Sequence, residues 1–181
     1  PKGYYPLESI FVALAFLALA RVKSLEALRY EPPGEWGKVL GLDRIPEVKT
    51  MREKVAVLCA TPEATAQWGS QLAQEWMAAH TAEGGFYYID GHVRVYHGAA
   101  AQRPRCYVAR ERLCLRATLD YWVNAMDGQP FFVVIQDLNE RLIQTLQEQI
   151  VPRLKREAPG QPSEEQLAAN RWLPRLRIVF D

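Results

Sequence analysis

Hydrophobic and polar residues change their spacing near residue 85 of this 181-residue chain. Before that point, apolar residues recur every three or four positions, as they do in helices, and proline or glycine interrupts them. From Tyr87 to Tyr96, apolar and polar residues alternate, which is the two-residue period of a β-strand. The pattern predicts an α+β protein with a helical region at residues 1–83 and a sheet-containing region at residues 84–181.

Four helices are predicted in the helical region, at residues 7–29, 36–40, 47–59 and 62–83. Pro32 and Pro33 end the first of them, because proline cannot continue the backbone hydrogen bonds of a helix. Pro62 suits the first turn of the fourth helix, and Thr61 suits its N-cap. That helix has an apolar side that we predict to face the core, formed by Trp68, Leu72, Trp76 and Met77.

The stretch from Ile10 to Ala20 is apolar throughout, but it is too short to span a bilayer. A secretory signal is the alternative interpretation. Glu8 interrupts the leader that such a signal needs, and the apolar pattern continues at helical spacing to Leu25 and Leu28. We therefore predict a buried core helix, no membrane partner and a cytoplasmic location.

The sheet-containing region is predicted to have the order strand, strand, strand, helix, strand. Alternating runs at residues 86–96 and 115–126 give the first two strands. The turn signal Asp127-Gly128 leads into a third strand at residues 131–136. The segment between the first two strands, residues 99–112, is predicted to be a loop.

One long helix is predicted between the third strand and the last. Asp137 and Glu140 suit a capping-box-like start for it. An apolar residue recurs every four positions along one face, at Leu138, Leu142, Leu146, Ile150 and Leu154. A short helix at residues 163–170 follows, and residues 176–181 form the last strand.

Two aspartates occupy informative places in this order. Asp90 lies within the first strand, on the same face as His92 and Arg94, and Asp181 ends the last strand. If these strands are neighbours, both carboxylates meet at one spot, where hard oxygen ligands suit Mg²⁺ or Mn²⁺. Paired ions about 3.5–4 Å apart support phosphoryl transfer. The alternative is that both are ordinary residues at strand ends.

Three segments resemble known sequences. Residues 86–98, FYYIDGHVRVYHG, resemble the first catalytic block of bacterial insertion-sequence transposases of the DDE type, whose catalytic core is RNase H-like. Residues 173–181, LPRLRIVFD, resemble the block that ends in the second aspartate of that family. Residues 35–52 are similar to the helical segment that precedes its core.

The resemblance implies that Asp90 and Asp181 are the first two members of an acidic triad that binds Mg²⁺ or Mn²⁺. The third member, a glutamate on a later helix, has no counterpart here, so we expect an amino-terminal part of a longer protein that is inactive by itself. Residues 84–181 would be the first half of the RNase H-like domain. The implied partners are transposon ends and target DNA, with a homo-oligomer assembled on DNA at the bacterial nucleoid.

Basic residues nearly balance acidic ones, 22 against 21, so any DNA binding must come from local patches. Such a patch lies in the segment after the first strand, with Tyr107 among its arginines. We predict DNA contacts for Arg94, Arg103, Arg105, Arg110 and Arg112, and Arg116 belongs to the same patch. The alternative is a solvated loop whose arginines pair with Glu111.

Other interpretations stay open at this point. His92, His97, Cys106 and Cys114 match none of the usual spacings of a zinc site. Asp120 is predicted to form a cross-strand pair at the surface. The helical region contains either a DNA-binding helix pair or a plain scaffold. The alternative functions are a non-catalytic DNA-binding or assembly module, as in a transposase remnant, and a nuclease unrelated to mobile elements.

Overall fold

A computed structural model describes residues 4–80, 85–96, 105–138 and 141–180. The chain divides into two compact units, Pro1–Ala66 and Gln67–Asp181. The predicted α+β class is confirmed, because helices come first along the chain and a mixed sheet follows. The functional boundary at residue 83 remains a prediction.

The first unit is helical. Its helices are α1 (Leu7–Leu19), a 3-10 helix (Leu25–Tyr30), α2 (Pro33–Val39) and α3 (Val48–Leu58), and α4 (Pro62–Ala79) begins in this unit and continues into the second. One face of α1 packs against residues of the 3-10 helix and α3, and the core consists of Ile10, Ala13, Leu17, Leu28, Ile45, Val48 and Met51. The prediction of a core helix at the apolar stretch is therefore confirmed. No helix in the described part of the chain is long and apolar enough to cross a membrane.

The single helix predicted at residues 7–29 was wrong, because α1 ends at Leu19. Arg21 has a φ of 56°, in the left-handed region. The N–H of Arg21 donates to the carbonyl of Ala18, and the N–H of Val22 donates to that of Leu17. These two bonds form a Schellman motif, which satisfies the last carbonyls of the helix. Glycine normally signals this motif, and here an arginine occupies its position.

The described residues of the second unit form six strands: β1 (Phe86–Val95), β2 (Cys106–Val108), β3 (Leu113–Leu115), β4 (Ala117–Asn124), β5 (Pro130–Asp137) and β6 (Arg177–Phe180). Four of them form one sheet in the order β5-β4-β1-β6. β4 is antiparallel to both β1 and β5, whereas β6 is parallel to β1. The four strands of this sheet follow one another along the chain as predicted, and the first and last of them are neighbours, whereas β2 and β3 were not predicted. Asp127 and Gly128 form the expected turn, with Gly128 at a φ of 92°.

The remaining two strands, β2 and β3, form a separate hairpin. Its first strand lies in the segment at residues 99–112 that we predicted to be a loop, and its second strand follows that segment and ends at Leu115. Each strand has three residues, which is too few for an alternating pattern to stand out in the sequence. Residues 97–104 lie outside the described part of the chain.

A helical crossover joins β5 to β6, which run in the same direction at opposite edges of the sheet. It comprises α5 (Leu142–Thr145), a π-helical turn (Leu146–Ile150), α6 (Val151–Glu157) and α7 (Glu164–Ala169). The predicted capping by Asp137 was wrong, because Asp137 is the last residue of β5, and Glu140 lies outside the described residues. Ser163 instead caps α7, in a capping box with Gln166.

The π turn explains how apolar residues four positions apart share one face. An α-helix has 3.6 residues per turn, so each step of four residues overshoots a full turn by about 40°. A π turn closes its hydrogen bonds over five residues and absorbs part of that overshoot. Ile150 and Leu154 are fully buried as a result. Pro152 follows the wider turn, where the hydrogen-bond ladder is already interrupted.

The helices cover one face of the sheet. The core there joins α4 and the crossover helices to three strands and contains Ala73, Met77, Tyr87, Ile89, Tyr121, Val123, Phe132, Val134, Ile150 and Leu154. The predicted aromatic side of α4 was wrong in part: Met77 is buried, but Trp68 is 53% exposed and Trp76 is 38% exposed. Ala73, which is buried, is five positions after Trp68. At about 100° per residue, Trp68 therefore points about 140° away from the buried side of α4.

A buried ion cluster links the crossover to α4. The Glu157 carboxylate accepts hydrogen bonds from Arg153 Nε at 2.9 Å and Arg156 Nη2 at 3.0 Å. Arg153 also donates to the Gly69 carbonyl at 3.2 Å and lies over the Phe132 ring. Burial by itself raises the pKa of Glu157, but the hydrogen bonds from Arg153, Ser70 and Arg156 outweigh it and lower that pKa below its usual value.

Candidate functional site

Asp90 lies on the sheet face that the helices leave uncovered. Its neighbours along β1, Tyr87 and Ile89, are buried on the opposite face, whereas Asp90, His92 and Arg94 are all exposed. Antiparallel partners share a face, and the partner of His92 on β4 is Asp120. We call this surface the Asp90 face. Asp90 therefore lies where a large polar partner can reach its carboxylate.

The strand β6 approaches Asp90 from the side of β1 that β4 leaves open. The parallel pairs run from Phe86 with Arg177 to Ile89 with Phe180, so the described part of β6 ends beside the residue before Asp90. Asp181 lies outside the described residues. The structure thus brings the two strands together, and the position of the Asp181 carboxylate remains a prediction.

Asp90 itself offers a carboxylate that suits a hard cation. Its side chain forms no ion pair with a described residue, so its oxygens face solvent. Within the described ranges, no three His, Cys, Asp or Glu side chains gather into a group that would hold a metal ion. For the zinc alternative, Cys106 and Cys114 belong to the hairpin, and His97 lies outside the described residues.

Arg94 forms an ion pair across the strands with Asp120, at 2.8 Å between Nη2 and Oδ2. Thr118 Oγ1 donates a second hydrogen bond to Asp120 Oδ1, also at 2.8 Å. The predicted cross-strand role of Asp120 is observed, but the predicted surface location was wrong, because Asp120 is only 3% exposed. Asp120 alternates along β4 with Thr118 and Trp122, and this alternation places it on the Asp90 face. The charge of Arg94 therefore already compensates a buried carboxylate.

We expect Arg94→Ala to lower the free energy of unfolding by about 1–3 kcal/mol. Removing one partner of a fully buried ion pair costs about 3–5 kcal/mol. Because the Arg94 side chain is 58% exposed, solvent screens part of that effect. Urea denaturation measures the change. Arg110→Ala is the control, since Arg110 is exposed, and the double variant with Asp120→Asn should recover part of the loss. Equal stability of Arg94→Ala and Arg110→Ala would contradict the structural role.

The predicted DNA-contact arginines of the hairpin are exposed. Arg105 precedes β2, and Arg110 and Arg112 lie in the turn between β2 and β3, where Arg112 has a φ of 53°. Arg103 lies outside the described residues. Arg105, Arg110 and Arg112 form no ion pair with any residue that the structure describes, so the alternative pairing with Glu111 is not observed there. Their charges are open to an anionic partner.

Comparisons with known proteins add the following findings. A family model described as "Transposase protein" matches residues 1–181. Among solved structures, the chain is similar to the Mos1 transposase paired-end complex with left transposon end, with 8% sequence identity and a TM-score of 0.27. That match covers 98% of this chain and 53% of the other, so this chain spans about half the length of that relative. No curated protein matches the chain.

Proposed function

Because this chain belongs to the transposase protein family, we propose that it is the part of a DDE-type transposase that carries the first two catalytic aspartates. The second unit would then be the first half of an RNase H-like domain. The observation that carries the proposal is the parallel pairing of β6 with β1, which directs the end of β6 toward Asp90. The exposure of Asp90 on an uncovered sheet face supports it.

Asp90 and Asp181 are the proposed ligands of Mg²⁺ or Mn²⁺. The described pairs of β1 and β6 advance one residue at a time and end at Ile89 with Phe180. The proposal takes that register one step further, which would pair Asp90 with Asp181. Neighbours in a parallel pair point to the same face, so the proposal places both carboxylates together. Divalent ions bound there would support activation of water or a 3′-hydroxyl for attack on a DNA phosphate.

The chain's own residues have separate roles in this proposal. Asp90 lies on β1, which pairs with β4 on one side and with β6 on the other, and this pairing fixes the backbone of Asp90. The exposed arginines of the hairpin bind DNA phosphates and position the strand. Arg94 was a further predicted DNA contact. We propose that it contacts DNA only in addition to its ion pair with Asp120.

Two carboxylates provide few of the roughly six oxygen ligands that a divalent ion of this kind prefers. We therefore expect weak metal binding and no strand cleavage by the chain itself. The measurements are Mn²⁺ titration calorimetry and nicking of supercoiled plasmid. Replacing Asp90 with asparagine should weaken Mn²⁺ binding at least roughly 10-fold, since even supporting residues of metal sites contribute that much.

Glu165→Gln is the matched control, because it removes an exposed carboxylate elsewhere in the same unit. Equal Mn²⁺ affinity of the Asp90→Asn and Glu165→Gln variants would refute the metal site. Nicking by the chain that disappears in Asp90→Asn would contradict the expected inactivity while supporting the role of Asp90.

A non-catalytic DNA-binding module is the second candidate function. The observation in its favour is the exposed set of hairpin arginines, whose contacts with phosphate need no metal. DNA binding without any Mn²⁺ binding that depends on Asp90 would favour this candidate.

A further inference from the structure

The hairpin of β2 and β3 has two different sides. Neighbouring residues of a strand point to opposite sides, and on β2 Val108 is 3% exposed whereas Tyr107 is 62% exposed. Val108 thus faces the protein and Tyr107 faces solvent. The cross-strand partner of Tyr107 is Cys114, whose small side chain leaves much of the tyrosine ring accessible.

The solvent side of the hairpin is strongly basic. Arg105, Arg110 and Arg112 are exposed there, and the acidic residue among them is Glu111. Arg105 lies two positions before Tyr107, and Arg110 and Arg112 lie in the turn that follows β2. Arg105, Arg110 and Arg112 form no ion pair with a described residue, and an exposed aromatic ring beside such cations is the combination that binds the bases and phosphates of a nucleic-acid strand.

The hairpin is attached to the sheet at the end of β1, the strand that carries Asp90. The Tyr96 N–H donates to the Arg116 carbonyl at 2.8 Å, which continues the ladder between β1 and β4 to the base of the hairpin. Val95, at the end of β1, is five positions after Asp90. At about 3.4 Å per residue, this is about 17 Å, or roughly five base-pair steps of DNA.

We propose that Tyr107 stacks on an unpaired nucleobase of the DNA strand that is bound at Asp90, while the hairpin arginines hold the adjacent phosphates. The proposal rests on the proposed function, since it assigns a DNA feature to the same site. In a paired duplex the faces of the bases are covered by their neighbours, so a protruding ring reaches only their edges. The exposed face of Tyr107 therefore fits unpaired nucleotides better than duplex.

The test compares two DNAs of equal length and sequence, one fully paired and one forked with an unpaired end, by fluorescence anisotropy in EDTA. Tyr107→Ala should weaken binding of the forked DNA roughly 5- to 150-fold, the range for loss of one stacked base. Binding of the paired DNA should stay within about twofold. Tyr107→Phe should bind both DNAs as the unsubstituted chain does, whereas Tyr107→Leu, which keeps an apolar side chain without a π-face, should behave as Tyr107→Ala.

The control is Tyr30→Ala, which removes a more exposed tyrosine from the first unit and should change neither affinity. The Asp90→Asn variant should retain the preference for forked DNA in EDTA, so a failure of the metal site is distinguishable from a failure of stacking. An equal loss for paired and forked DNA would overturn the proposal. So would an unchanged affinity with a new sedimentation coefficient, because Tyr107 would then contact a second copy of the chain.

Discussion

Glu157→Ala is expected to lower the free energy of unfolding of the second unit by about 3–5 kcal/mol at neutral pH. The substitution removes the shared acceptor of Arg153 and Arg156 and leaves the charge of Arg153, whose side chain is 22% exposed, without its partner. Breaking a buried ion pair by removing one side costs this much because the remaining charge stays poorly solvated. Urea denaturation followed by circular dichroism measures the loss.

Glu164→Ala is the matched control for burial. Glu164 also pairs with an arginine, Arg175, at 2.9 Å, but its side chain is 86% exposed. An exposed ion pair contributes at most about 1 kcal/mol, so this variant should unfold almost as the unsubstituted chain does. A similar loss in both variants would show that burial does not determine the contribution of Glu157.

The same residue gives the stability a dependence on pH. The folded pKa of Glu157 lies below the usual value of 4.5, so the unfolded state takes up a proton first as the pH falls. The contribution of Glu157 is therefore complete above about pH 4.5 and decreases as the pH falls through the folded pKa. Glu157→Gln should show a smaller loss of stability than the unsubstituted chain over that acidic range.

Replacing Arg103, Arg105, Arg110 and Arg112 with alanine should flatten the salt dependence of DNA binding. Each phosphate contact contributes a slope of about −0.9 in a plot of log affinity against log salt. Loss of four contacts would remove up to roughly 3.6 from that slope, which amounts to about 150-fold of affinity change between roughly 50 and 200 mM salt. The unsubstituted chain should bind duplex with a Kd on the order of 10⁻⁴–10⁻⁶ M at physiological salt.

A second fourfold variant controls for net charge. It replaces four arginines that form ion pairs with glutamates, namely Arg29, Arg44, Arg52 and Arg175. Both variants lose the same formal charge, but Arg105, Arg110 and Arg112 form no ion pair with a described residue. If the two salt slopes fall equally, the hairpin is not a specific contact with phosphate, and only the overall charge matters.

Periodicity predicted the parts of the fold that long patterns determine. Three patterns together predicted the strand order and the crossover. They are the alternation around Asp90, the turn at Asp127 and Gly128, and the apolar recurrence before β6. The same alternation placed Asp90 opposite Ile89, as the structure shows. These features could be predicted from the sequence because burial on one face imposes a repeating pattern on many residues.

Features that depend on single residues or on tertiary contacts could not be predicted from the sequence. Arg21 adopts a left-handed conformation that has no signal without glycine. The burial of Asp120 depends on its pairing with Arg94 and Thr118 across and along the strands. The exposure of Trp68 depends on which side of α4 meets the sheet, and its apolar character alone does not reveal that.

The π-helical turn at Leu146–Ile150 makes the crossover sensitive to its exact length. Deleting one residue there would restore a regular α-helix and leave later residues almost in phase, because five residues of a π turn and four residues of an α-helix rotate by similar angles. Inserting one residue would instead rotate every later residue by about 100° around the helix axis. Arg153 would then turn away from the Phe132 ring and the Gly69 carbonyl that it now contacts. The helix therefore tolerates new side chains on its solvent side far better than it tolerates an insertion, because the added residue would change which side chains meet the sheet.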